Sequence, residues 1–368
     1  KRAYCLKTQP ATGETYPKSD LFNKAALTIK RMIFHVVGGE LEIPVLLSEI
    51  SPPEHVDFFL ERIKSALSGN MFRFTELSST ERILCLIRNN ADTDASCFTE
   101  QSTFLANDFQ SHHHTKNASM GVFFLFELHT LNDEKLFALI KYDNEDVVRY
   151  VLDAEGDEFQ VPRLERFRES FVKKAEAMQK IALVRLTEDS QGGRVVVRDR
   201  SKRTNISVYF ERFLQVQRVN STTDLSDKLV AALKDVFNKH RDLLPDDIRR
   251  SGINKIYETL HHGAQDFNTD EPLSLLNQIF GPMEEDHPLV KSFTRKIKDL
   301  GISGESFRIT SKNIPKPRKR KLETLEDVIV IYDEDNAPDI QTMEDGRKRI
   351  VIVTAGLVTD DIDTGKNR

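Results

Sequence analysis

The sequence predicts an α+β fold: an antiparallel sheet with packed helices, followed by a mainly helical region and a C-terminal β element. Three observations carry this. The runs Gly121-Val122-Phe123-Phe124-Leu125-Phe126 and Leu136-Phe137-Ala138-Leu139-Ile140 are almost wholly apolar and are separated by the turn residues Asn132-Asp133, as in a central hairpin covered on both faces. Beyond Leu214 the apolar residues recur at helical spacing in successive blocks, without the regular alternation of βαβ units. At 368 residues the chain exceeds one typical domain. A division into residues 1–203, built on antiparallel hairpins, and residues 204–368, helical with late strands, follows from the change of pattern.

Taken in order, roughly the first 25 residues, with Pro10, Gly13 and Pro17 among polar neighbours, read as a loose lead-in. Ala26 to Val37 and Leu41 to Leu47 read as two strands turning at Gly38-Gly39. Pro52-Pro53 stops extended structure before a helix over Val56 to Leu67, where Phe59, Ile63 and Leu67 share a face. A second helix over Ser79 to Asn90 turns Ile83, Leu84 and Ile87 inward. After the central hairpin, a charged helix near Leu164 to Glu176 leads to Ile181–Leu186, which pairs with Arg194–Val197 across Gly192-Gly193. Leu225 to His240 follows as a helix with Leu229, Leu233, Val236 and Phe237 on one side. Ile248 to His262, Pro272 to Phe280 and Pro288 to Leu300 are further helices; Ser306–Thr310, Val328–Tyr332 and Ile350–Val353 are strands.

Composition narrows the function. With 53 basic and 58 acidic side chains the net charge is −5, so a generic polyanion binder is disfavoured and any nucleic-acid contact must be local. Hydrophobic content of 39% and mean hydropathy of −0.44 describe a globular chain. No tract approaches the roughly 20 apolar residues of a spanning helix, and Lys1-Arg2-Ala3-Tyr4-Cys5 lacks the apolar core of a signal peptide. Cys5, Cys85 and Cys97 are too scattered for a disulfide framework, which makes a reducing cytoplasm the expectation.

The most informative stretch runs from Val197 to Leu214. A β run ends in Arg198, Arg200, Lys202 and Arg203, and Ile206, Phe210, Phe213 and Leu214 then form one helical stripe. With Thr204 or Asn205 as cap, the unpaired N–H groups of the first turn would lie beside four cations, a recipe for holding a phosphate; a solvated basic loop is the bland alternative. A second basic cluster, Lys312, Lys316, Arg318, Lys319, Arg320 and Lys321, is kept extended by Pro315 and Pro317. Glu323, Glu326 and Asp327 follow closely enough to fold back on it.

Other constellations are weak. His112-His113-His114 cannot all enter one tetrahedral site and reads as a polar loop. Asp333-Glu334-Asp335 lacks the glycine and terminal glutamate of a calcium loop, and Asp360, Asp361 and Asp363 read as solvated charge. No Gly-rich phosphate loop with Lys-Ser/Thr, no His-Glu-x-x-His and no Gly-x-Ser-x-Gly is present. Glu127, Asp133 and Lys141 fall on or near the central hairpin, where a metal-dependent nuclease would keep carboxylates and a lysine, but their spacing matches no signature.

The order of features resembles the bacterial nucleoid-associated proteins of the NdpA/YejK family. The residues that carry it are Ala25 to His35, the hairpin 121–126 to 136–140, the basic segment feeding the Phe-rich helix, and the late strand Arg349-Ile350-Val351-Ile352-Val353. Family members have a Gly-Arg-rich turn before that helix; this chain has Arg200-Ser201-Lys202-Arg203 and lacks the glycines. The resemblance implies a protein associated with bacterial DNA, with no catalytic residues to carry over; the basic clusters add the expectation of a non-catalytic protein of the bacterial cytoplasm and nucleoid that contacts double-stranded DNA along its phosphates with low sequence specificity, without cofactor or metal. Arg198, Arg200, Lys202, Arg203, Lys316, Arg318, Lys319, Arg320 and Lys321 are then the contact residues. Self-association and protein partners are compatible with it. A different class of reading, favoured by the net negative charge, is an interaction or regulatory subunit of a phage-defence or mobile-element system; a nuclease is the third.

Overall fold

Seven strands build one antiparallel sheet: β1 (Thr28–Val37), β2 (Asn70–Phe74), β3 (Gly121–His129), β4 (Lys135–Tyr142), β5 (Met178–Arg185), β6 (Arg194–Asp199) and β7 (Val216–Arg218). Their order is β1-β3-β4-β5-β6-β2-β7. The computed structural model describes residues 27–39, 41–50, 57–90, 92–112, 119–143, 178–188, 192–202 and 204–357. These fall into two units, one ending at Ile314 and one beginning at Pro315. The lead-in, Pro52-Pro53, His113 and His114, the helix expected near Leu164 to Glu176, Arg203, and Asp360, Asp361 and Asp363 lie outside the described residues.

Successive strand residues point to opposite faces, so neighbouring phenylalanines fill different layers. Phe124 and Phe126 join Phe34 and, from α1 (Asp57–Lys64), Phe59 in one core. Phe123 enters the other, where its ring stacks on Phe109 at 4.9 Å while Phe213 meets Phe109 edge-on at 5.2 Å. That second layer is supplied by α2 (Ser79–Asn90), α3 (Cys97–His112) and α4 (Val208–Leu214). Interlocking phenylalanine rings fill both layers with no ring N–H to satisfy. His35, fully buried, is bonded through Nε2 to Ser102 and accepts the Leu47 N–H at Nδ1.

The helices α5 (Thr222–His240), α6 (Asp246–His261), α7 (Leu273–Phe280) and α8 (Pro288–Asp299) enclose a third core with the antiparallel pair β8 (Gln265–Asn268) and β9 (Ser306–Ile309). A capping box of Ser221 and Asp224 starts α5, and Pro288 opens α8. Glu305 ties this core to the sheet. It is fully buried and accepts the Met71 N–H at 2.8 Å and Arg218 Nη2 at 2.9 Å, while Asn70 Oδ1 accepts the Ser306 N–H at 2.7 Å. α4 and β7, both beyond residue 203, pack with the sheet, and the separate helical core begins at Leu225.

Among its described residues the second unit holds two hairpins, β10 (Lys319–Glu323) with β11 (Ile329–Asp333) and β12 (Asp339–Thr342) with β13 (Lys348–Val351). None of its described residues, 315 to 357, is buried. The architecture is α+β, with eight helices among the described residues and strands at the C-terminal end. One expected strand differs: Leu41 to Leu47 contributes only the isolated bridge Val36 to Val45. Pro44, which has no N–H to donate, interrupts the ladder there.

Candidate nucleic-acid interface

The basic loop hangs on a buried anion. Along β6, Val195 and Val197 bury toward the α2–α4 layer, and Asp199 follows them inward with its side chain fully enclosed. Its register partner is Lys180 on β5, whose ammonium lies 2.8 Å from Asp199 Oδ1 and 5.2 Å from the centre of the Tyr209 ring. Oδ1 also accepts the Ser201 N–H at 2.9 Å and the Ser201 hydroxyl at 2.7 Å; Oδ2 accepts the Ser207 N–H at 2.8 Å. Burial pushes the Asp199 carboxyl up, but these hydrogen bonds and the Lys180 charge outweigh it and hold the group below the usual carboxylate range. Close by, Lys141 is buried against Asp143 at 2.6 Å, and burial lowers its affinity for a proton while Asp143 opposes. The Tyr209 phenol is raised by burial and by Asp199 and Asp143.

This arrangement corrects the expected cap. The aromatic helix begins at Val208, not at Ile206, and Ser207 rather than Thr204 or Asn205 occupies the N-cap, with no side-chain cap bond. At this end the Asp199 carboxylate accepts the N–H of the cap residue Ser207. The Thr204 carbonyl accepts from Arg218 Nη1 instead. The stripe of Ile206, Phe210, Phe213 and Leu214 is buried as the spacing required.

With Asp199 turned inward, its neighbours turn outward. Arg198, Arg200 and Lys202 are all exposed. They border a cleft of about 890 Å³, into which Arg62 also projects from α1. The opposite wall carries Asp266, Asp270 and Glu271. Gly69 lets the chain after α1 approach β6 closely, since a Cβ there would lie 2.2 Å from the Val197 carbonyl oxygen.

Apart from Lys312 the second cluster belongs to the C-terminal unit, and it is partly neutralised by Glu323, one of the acids expected to fold back, and by Glu334, which was not among them. Glu334 lies 2.6 Å from Arg320 and 3.5 Å from Lys316, and those two cations hold its carboxyl below the ordinary range. Lys321 pairs with Glu323 at 2.6 Å. Arg318 and Lys319 are exposed. Lys319 to Lys321 form most of β10, so only the residues up to Arg318 remain outside the ladder.

The remaining candidates separate. Glu127 and Asp133 meet on His129, at 3.0 and 2.7 Å from its two ring nitrogens, whereas Lys141 pairs in register with Phe123 near the other end of β3. His112 is the last residue of α3, 3.5 Å from Asp108. Among the described residues no group of three or more His, Cys, Asp or Glu could hold a metal ion.

Sequence reasoning missed Arg62 and the acidic wall, which no local pattern joins to the basic loop. It could have found the Lys180–Asp199 pair: the hairpin turning at Gly192-Gly193 sets Arg185 opposite Arg194, and the same register sets Lys180 opposite Asp199.

The family profile described as nucleoid-associated protein YejK matches residues 33–354. The chain belongs to that family. The span matched to the YejK family holds the whole sheet from Ile33 onward, the loop from Arg198 to Lys202 and the cluster from Lys316 to Lys321. A nucleoid-associated role is what YejK-family membership assigns. No curated protein and no solved structure matches the chain. Among the described residues of this YejK-family protein, no helix is long and apolar enough to cross a membrane.

Proposed function

We propose that the protein serves the nucleoid by binding duplex DNA along its phosphates, with little sequence preference and without cutting it. The observation that carries this reading is the row of outward cations at Arg198, Arg200 and Lys202, fixed in place by the inward Asp199. Exposed guanidinium and ammonium groups on a tethered loop contact phosphates, and phosphates carry no direct sequence information. Arg318 and Lys319 extend the set from the C-terminal unit. Arg203 completes the sequence cluster, although it lies outside the described residues.

The test is binding of a labelled random-sequence duplex across a salt series, with and without magnesium. Neutralising about five phosphates gives a log–log slope of about −4.5, a loss of roughly 500-fold between 50 and 200 mM salt. Changing Arg198 and Lys202 together to Ala reduces the slope by about 1.8 and weakens all sequences alike. Absence of binding at low salt, a slope unchanged in that variant, or magnesium-dependent cleavage of the duplex overturns the reading.

A further inference from the structure

The cleft beside the basic loop has two walls of opposite sign. Arg62, Arg198 and Lys202 line the sheet side, and Asp266, Asp270 and Glu271 line the helical side, yet none of these three cations forms an ion pair across the gap. Two of the acids are engaged on their own side: Asp270 Oδ1 accepts the Gly304 N–H at 2.8 Å, and Asp266 faces Arg308 across the β8–β9 pair at 4.0 Å. The Arg62 guanidinium rests 5.0 Å from the Phe58 ring centre. Beneath the cleft the two cores are joined by the buried Glu305, which bonds the Met71 N–H and Arg218, and by Asn70, which bonds the Ser306 N–H. Both Asn70 and Ser306 reach the cleft surface.

A concavity of about 890 Å³ between two cores has the size and placement of a small-molecule site. Its polarity selects the ligand. A metal ion or polyamine is repelled by the guanidinium side, and a bare phosphate is repelled by the carboxylate side. A suitable ligand brings an anionic group to one wall and N–H donors to the other; amides at Asn268 and Gln278 can serve the space between. We propose that this cleft binds a nucleoside monophosphate, with its phosphate on Arg62, Arg198 and Lys202 and the amino-bearing edge of its base toward Asp266 and Glu271. The inference does not depend on DNA binding. If both hold, nucleotide and duplex compete for Arg198 and Lys202.

The experiment is isothermal titration calorimetry of the full chain, without DNA, against AMP, GMP, CMP, UMP and inorganic phosphate. At least one amino-bearing nucleotide is expected to bind at least tenfold more tightly than inorganic phosphate. Arg62→Ala, which touches neither basic cluster, is expected to weaken that nucleotide about tenfold, and Glu271→Gln to weaken the nucleotide while leaving phosphate unchanged. Thermal unfolding of both variants shows whether the fold persists; Glu271 is exposed, so its variant keeps the test open if Arg62→Ala misfolds. The proposal is overturned if no nucleotide binds at millimolar concentration, if phosphate binds as tightly as the nucleotides, or if a folded variant binds like the parent.

Discussion

Replacing Asp199 by Ala should detach the basic loop and destabilise the sheet together. The carboxylate accepts four hydrogen bonds, one of them from the Lys180 ammonium, which is itself only 4% exposed. Its removal leaves a buried cation without its partner and the Ser201 and Ser207 amides without acceptors. Breaking a buried pair from one side costs about 3–5 kcal/mol, which in a chain of this size corresponds to a fall in Tm of about 4–7 °C. Because the folded-state pKa of Asp199 is depressed, its contribution is complete above the unfolded value near 4 and disappears as pH falls below it. Wild type and variant stabilities should therefore converge in acid. Urea denaturation at a series of pH values, with hydrogen exchange at residues 200–207, reads both effects. Changing Lys180 to Met in the same chain should recover much of the loss, since no unpaired charge remains. A single-variant cost below about 1 kcal/mol, or unchanged protection of the loop, refutes the reasoning.

Burial lowers His35 to about 4, so it stays neutral in the folded chain at pH values where the unfolded chain binds a proton. Stability should fall by about 3 kcal/mol as pH drops from about 6.5 to about 4, and His35→Gln should flatten that segment of a stability–pH curve; an unchanged slope assigns the acid sensitivity elsewhere. Glu305→Ala should cost about 3–5 kcal/mol in chemical denaturation, because Arg218 and the Met71 amide lose their acceptor. It should also expose the junction of sheet and helices to limited proteolysis, and resistance equal to the parent would count against Glu305 as the tie.

The strongly patterned elements were legible. The central hairpin, the helix from Ser79 to Asn90 and the four helices after Asn220 lie close to where apolar periodicity placed them. What escaped did so for physical reasons. α3 buries Phe98, Ser102, Leu105 and Phe109 at helical spacing, but a serine in the inward stripe, kept there by its bond to His35, hides the period. β10 is disguised by charge, since Lys319-Arg320-Lys321 reads as solvated loop until β11 supplies its ladder; lysines on such a strand also discourage further pairing. At the site, the sequence named the basic residues, but not that Asp199 turns inward to accept the Ser207 N–H. It could not join Arg62 or Asp266 to them, because only the packing of one core against another brings those residues to a common cleft.

The order of the sheet also bears on how the protein is made. β2 lies between β6 and β7, so Phe72 and Phe74 leave the ribosome long before Val195 and Val216, their partners in the ladder. Until then that strand is an open apolar edge, the kind of surface that aggregates or recruits chaperones in a nascent chain. The local β3–β4 hairpin can close early, whereas β2 must wait for distant sequence, and non-local closure is the slow part of folding. Translation therefore reaches the basic loop and the rest of β6 before β2 can be seated, which makes the cleft among the last features of the molecule to take shape.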